Sequence, residues 1–100
     1  MRNKAAQPSL AKRLKENRKR IDLIDQELLS LLNQRLRIAQ EMGNVKKEMG
    51  IKIYDPGREK EVLERLRLRL RSRNKRLLLE EKDLEKIFKT IIKVCRRTQR

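Results

Sequence analysis

SLAKRLKENRKRIDLIDQELLSLLNQRLRIAQEMGNVKKEM, residues 9–49, contains no proline and a single glycine, Gly43. Its apolar residues Leu10, Leu14, Ile21, Ile24, Leu28, Leu31, Leu32, Ala39, Met42, Val45 and Met49 recur at spacings of three and four. That period predicts a single helix from Ser9 to about Met49. At 1.5 Å per residue such a helix is roughly 60 Å long, whereas a globule of this chain length is only about 30 Å across. The helix must therefore project beyond its own domain. Its apolar stripe then needs a partner, most simply a second copy of the same chain.

The remaining composition agrees with an all-helical protein. Of 100 residues, 43% are charged and 37% apolar, with only two aromatic residues, Tyr54 and Phe88, and three glycines. Sandwiches and barrels are thereby disfavoured, and Leu, Lys, Arg and Glu favour helices. The net charge of +15 suits a nucleic-acid binder, a site for a small anion, or simply a solvated Arg-rich exterior. A single cysteine, Cys95, excludes an internal disulfide, and the absence of His excludes a Cys/His metal cluster. With no signal-peptide core and no long apolar run, the chain is expected in the cytoplasm, away from membranes. One domain is expected over residues 1–100, with residues 1–8 as a flexible tail.

GIKIYDPG, residues 50–57, breaks the helical period and forms the connection. Asp55-Pro56 opens a second helix: Asp caps free N–H groups, and Pro lacks an N–H that would go unbonded there. This helix buries Val62, Leu63, Leu66 and Leu70 and runs into RLRLRLRSRNKR, residues 65–76, where seven of twelve residues are basic. The Arg/Leu alternation there is strand-like, but the leucines also fit the helical period. A third helix begins near LEEKDLEK, residues 79–86, whose acids suit a helix N-terminus. Its stripe is Leu84, Ile87, Phe88, Ile91 and Cys95, ending at Gln99.

Polar residues interrupt these stripes. Arg35 and Lys46 are eleven residues apart, close to three whole turns, so both point the way Ala39 and Met42 point. Glu59 heads the stripe of the second helix and Gln99 closes that of the third. Each has a plain reading: it reaches solvent at a stripe's edge, or it forms a Lys–Glu or Arg–Glu tie. Taken together they also describe a pocket for an anion, since buried charges are costly unless paired or liganded. Arg35 offers a carboxylate fork, Lys46 a point charge and Glu59 an acceptor for a hydroxyl. There is no nucleophile–base pair and no Gly-rich phosphate loop. Any chemistry should need positioning and electrostatics only.

In two stretches, RKRIDLIDQELLSLLNQRLRIAQEMGNVKKEMGIKIYDPGREKEVLERL and IFKTIIKVCRRTQ, the chain resembles the all-helical class of chorismate mutases. These are small intertwined dimers that convert chorismate to prephenate in aromatic amino-acid biosynthesis. The ordered set Ile21-Asp22-x-Ile24-Asp25, Arg35, Lys46 and Asp55-Pro56-x-Arg58-Glu59 carries the likeness. The resemblance implies an all-α fold of three helices per chain in an intertwined homodimer with shared active sites. It implies that Arg35, with Arg18 from the other subunit, grips the substrate's two carboxylates. Lys46 and Gln99 would hydrogen-bond the ether oxygen, and Glu59 would take the ring hydroxyl with the backbone of Asp55. Arg58 would lie at the pocket's edge, and Cys95 stands where the family often has Ser. Arg18 precedes Arg35 by seventeen residues, about 260° around an ideal helix, so the two cannot share a face of one chain.

The implied reaction is an isomerisation without cofactor, covalent intermediate or proton transfer. Related domains are often fused to neighbouring shikimate-pathway enzymes, which implies association with such an enzyme. An isochorismate pyruvate-lyase would share the fold and the lysine but lack the Glu59 carboxylate. A basic helical nucleic-acid binder using residues 65–76 would show steep salt dependence, but the scarcity of aromatic residues and the absence of a recognisable binding motif stand against it.

Overall fold

The computed structural model describes residues 6–72 and 78–100, with side chains from Ser9 onward. The described residues form three helices: α1 (Ala6–Met49), α2 (Pro56–Ser72) and α3 (Glu81–Thr98). The fold is all-α, as the sequence predicts. α1 is 44 residues long and starts three residues before Ser9. Pro8 then falls in its first turn, where a missing N–H breaks no intrahelical bond. The basic residues Arg73, Lys75 and Arg76 lie outside the described residues, as do residues 1–5 of the expected tail.

Each helix end has a local cause. α1 stops at Gly50, whose φ of 71° is the left-handed conformation that glycine adopts without a Cβ penalty. The Gly50 N–H donates to the Lys47 carbonyl at 3.2 Å and the Ile51 N–H to the Lys46 carbonyl at 3.0 Å. This is the paired bonding of a Schellman stop. α2 opens as expected, with Asp55 Oδ1 accepting from the Arg58 N–H at 3.0 Å. The Asp55 carbonyl accepts from the Glu59 N–H at 3.1 Å, so one cap residue sets the first turn of α2 and the place of Glu59 within it.

Two units are distinguished, Met1–Asn33 and Gln34–Arg100. The described part of the first is helix alone, and every residue there whose side chain is described is exposed. Leu10, Leu14, Ile21, Ile24, Leu28 and Leu31 are each more than half exposed. The apolar stripe of the sequence is present, and nothing within this unit covers it.

The second unit holds the core, in which Ala39, Leu84, Ile92 and Cys95 are buried. The stripe of α3 differs from the one expected. Ile87 is exposed and Ile91 only half-buried, while Ile92 is buried. α3 turns the line 84–88–92–95 inward, and Ile87 and Ile91 lie one position back, about 100° around the helix. On α2, Val62, Leu63, Leu66 and Leu70 are half-buried. The Arg/Leu run stays helical through Ser72 and carries ion pairs at helical spacing: Arg65–Glu61 at 2.6 Å and Arg67–Glu64 at 2.7 Å. Arg67 also reaches Glu85 of α3 at 3.1 Å, and Arg71 pairs with Glu81. Part of the basic run is thus neutralised within the chain. Hydrogen bonds from Lys89 and Arg67 hold the Glu85 carboxyl below its ordinary range, and Arg71 does the same to Glu81.

Candidate active site

The C-terminal part of α1, the connection, the first turns of α2 and the last turns of α3 enclose a cavity of about 230 Å³. Small-molecule pockets run to ~300–1,000 Å³, so this is room for a compact ligand. Ile38, Ala39, Met42, Ile53, Val62 and Ile92 supply its apolar lining. Of the predicted residues, Arg35, Lys46, Asp55, Arg58, Glu59, Cys95 and Gln99 all line it. Arg18 does not: it lies exposed on α1 in the Met1–Asn33 unit.

The centre of the polar wall is Lys46. Its Nζ donates to the Ile53 carbonyl and to Gln99 Oε1, each at 2.8 Å. An ammonium has three donors and no acceptor, so one N–H is left for a ligand. The same rule orients Gln99: only its oxygen can face Lys46, which turns its NH₂ group away as a second donor. The Schellman stop at Gly50 brings Ile53 back to Lys46, so the turn chemistry and the lysine geometry are linked.

Gln99 is the C-cap of α3, half-buried, with helical φ −74° and ψ −15°. Gly43 holds it there. A Cβ at Gly43 would lie 2.4 Å from the Gln99 carbonyl oxygen and 2.7 Å from its Cα. The bare glycine lets the end of α3 sit directly on α1, three residues before Lys46. Arg35 is half-buried. Arg58 is exposed and salt-bridged to Glu61 at 2.9 Å, which suits the pocket's edge. Cys95 is a buried free thiol.

Glu59 is half-buried and has a protein partner, Arg96, that the sequence reading left out. Arg96 Nε donates to Glu59 Oε2 at 3.0 Å and Nη2 to Oε1 at 3.1 Å. The guanidinium carbon also lies 4.5 Å from the centre of the Tyr54 ring. A signal for Arg96 existed. Positions 92, 95, 96 and 99 form one helical face, so Arg96 is a charge in a stripe, as Glu59 is. Gly43 and the Ile53 carbonyl carried no comparable signal.

Comparisons with known proteins bear on the family and the fold. The family model for chorismate mutase type II matches residues 17–100. The chain is 35% identical over 83 residues to the chorismate mutase of Methanocaldococcus jannaschii, covering 83% of this chain and 80% of that one. It is 39% identical over 82 residues to the bifunctional chorismate mutase/prephenate dehydratase of Aquifex aeolicus. That match covers 82% of this chain but only 22% of the relative, so the chain spans about a fifth of the bifunctional protein. Among solved structures, chorismate mutase from Helicobacter pylori in complex with prephenate superposes with a TM-score of 0.73 at 34% identity. That alignment covers 88% of this chain and 90% of the other. Described residues include no helix long and apolar enough to cross a membrane. With the family model, the sequence identity and the helical architecture in agreement, the chain belongs to the type II chorismate mutase family.

Proposed function

We propose that this chain is a cofactor-independent isomerase that converts chorismate to prephenate by a 3,3-sigmatropic rearrangement. In that reaction the ether C–O bond breaks as a new C–C bond forms within one molecule, and no proton is transferred. The observation that carries the reading is the pair Lys46–Gln99. Its members are locked together at 2.8 Å, and each keeps a donor to offer one oxygen.

Catalysis then rests on differential binding. Negative charge grows on the ether oxygen in the transition state, where fixed donors act more strongly than on the ground state. Arg35 holds one carboxylate, and Glu59 accepts from the ring hydroxyl beside the Asp55 backbone, keeping the ligand in its reactive chair-like conformer. Arg58 closes the edge and Cys95 lines the wall. A millionfold acceleration requires about 8 kcal/mol, and a preorganised donor of this kind typically contributes about 2.7–4 kcal/mol. Two donors and conformer selection are sufficient.

The second carboxylate is assigned to Arg18 of another copy. Two copies pair through the exposed apolar face of α1 into a homodimer with composite sites, each chain being a single catalytic domain. The uncovered leucines and isoleucines of the Met1–Asn33 unit support this pairing. Sedimentation showing a folded monomer at micromolar concentration would refute it. Association with another enzyme of the pathway is supported by the relative in which the matching segment sits inside a bifunctional protein. The decisive assay for activity is incubation of the purified chain with chorismate, following loss of its diene absorbance and appearance of prephenate. Absence of turnover refutes the proposal. Release of pyruvate from isochorismate instead would make the chain a lyase.

A further inference from the structure

A carboxylate in a pocket for a twice-negative ligand needs an explanation. Glu59 lines the same cavity as Arg35 and Lys46, and left alone it would repel the ligand's carboxylates. Arg96 answers this in two ways. Its charge cancels that of Glu59, so the lining cations Arg35, Lys46, Arg58 and Arg96 outnumber the carboxylates Asp55 and Glu59 by two. Its planar fork also sets the plane of the carboxylate, since it donates to both oxygens at 3.0 and 3.1 Å. Each carboxylate oxygen has two lone-pair sites. The fork takes one on each and leaves the other free to accept a hydroxyl.

The guanidinium is itself held from another side. Tyr54, in the connection before α2, presents its ring 4.5 Å from the Arg96 guanidinium carbon, within range of a cation–π contact. Connection, α2 and α3 therefore meet at one side chain. Lysine could not replace it, because a point charge reaches one oxygen and neither forks nor stacks in the same way. The pair is part-buried, its side chains 32% and 23% exposed, so it ties α2 to α3 as well as orienting the carboxylate.

We propose that Arg96, seated against Tyr54, is a positioning residue for Glu59. It turns that carboxylate into a neutralised, oriented acceptor for the hydroxyl of a dianionic ligand. The proposal rests on the chorismate reading above for the ligand's identity, while the pairing itself does not.

Two experiments separate the two. In the ligand-free protein, the Arg96 Nε–H resonance should exchange slowly with water, and should join the exposed arginine signals in Glu59→Gln. If it is already indistinguishable from them in the wild type, the pair does not exist in solution and the proposal falls, whatever the reaction. In the chorismate assay, kcat, KM and melting temperature are measured for Arg96→Gln, Arg96→Lys, Glu59→Gln and the double variant. Arg96→Gln should lower kcat/KM by about tenfold to a hundredfold, as loss of an outer partner that orients an active-site ligand does, measured well below the melting temperature of each variant. Arg96→Lys should restore KM through its charge but not kcat, because the fork is gone. Adding Arg96→Gln to Glu59→Gln should lower kcat much less than it does in the wild type. Unchanged kinetics in Arg96→Gln overturn the proposal, as does an equal effect in both backgrounds. A wild type inactive on chorismate refutes the functional reading and with it the substrate-directed role, even with the resonance intact.

Discussion

Replacing Gly43 by alanine puts a methyl group where the backbone of Gln99 already lies. The new Cβ would be 2.4 Å from the Gln99 carbonyl oxygen, 2.7 Å from its Cα and 2.9 Å from its carbonyl carbon. Ordinary contact begins near 3.4 Å, so the end of α3 must withdraw by about 1 Å. All three obstructing atoms are backbone, so no side-chain rotation relieves the clash. The Lys46–Gln99 bond is 2.8 Å, and the same retreat along its direction stretches it to about 3.8 Å, beyond hydrogen-bond range. Gln99 then loses both its orientation and its place. A misplacement of about 1 Å costs roughly 10²-fold in rate, and loss of a preorganised donor about 10²–10³. The fold should survive. Overpacking costs about 1–3 kcal/mol, and alanine returns about 0.8–1.0 kcal/mol of helix propensity to α1. The expected result is a kcat reduced at least about a hundredfold, with helicity retained by circular dichroism. The control is Asn44→Ala, at an exposed position one residue on, which should leave kcat unchanged. A Gly43→Ala enzyme with wild-type kcat would refute the reasoning, because Gln99 either does not rest on Gly43 or does not act on the ligand.

Three further outcomes are expected. Gln99→Glu can donate to the ether oxygen only while protonated, so its activity should be present at low pH and lost as pH rises. A profile parallel to the wild type's would remove Gln99 from contact with that oxygen. Arg18→Ala and Arg35→Ala homodimers should each be nearly inactive and should recover activity when mixed and refolded together, since each heterodimer contains one intact site. No recovery, with heterodimers demonstrated, would place both arginines in one chain's site. The Glu85 and Glu81 carboxyls are held below their ordinary value of 4.5 in the folded chain. The stability they contribute is therefore fully present above that value and is lost as pH falls through their folded-state range. Acid unfolding should be less steep in Glu85→Gln, and an identical acid limb would show that its pairing with Lys89 and Arg67 is inconsequential.

The helices were legible in the sequence because their causes are local. Apolar spacing predicts α1 to about Met49, GIKIYDPG interrupts it and the Asp55-Pro56 cap begins α2. The start of α1 at Ala6 and the end of α2 at Ser72 were not legible. The polar residues of the pocket were legible for a related reason, since Arg35, Lys46, Glu59 and Gln99 each put charge or an amide on a stripe that periodicity alone makes apolar. Other features depended on how far α3 rotates about its axis. That angle is decided where α3 meets α1 and α2, and no window of sequence contains it. It buries Ile92 rather than Ile91. It also aims Arg96, one cation among Lys93, Arg97 and Arg100 in the same segment, at a carboxylate thirty-seven residues earlier. Gly43 is the sharpest case. From sequence it is only a weak spot in a long helix; its use appears when the backbone of Gln99 is found against it. A missing side chain matters only through what fills its place, and tertiary structure alone decides that.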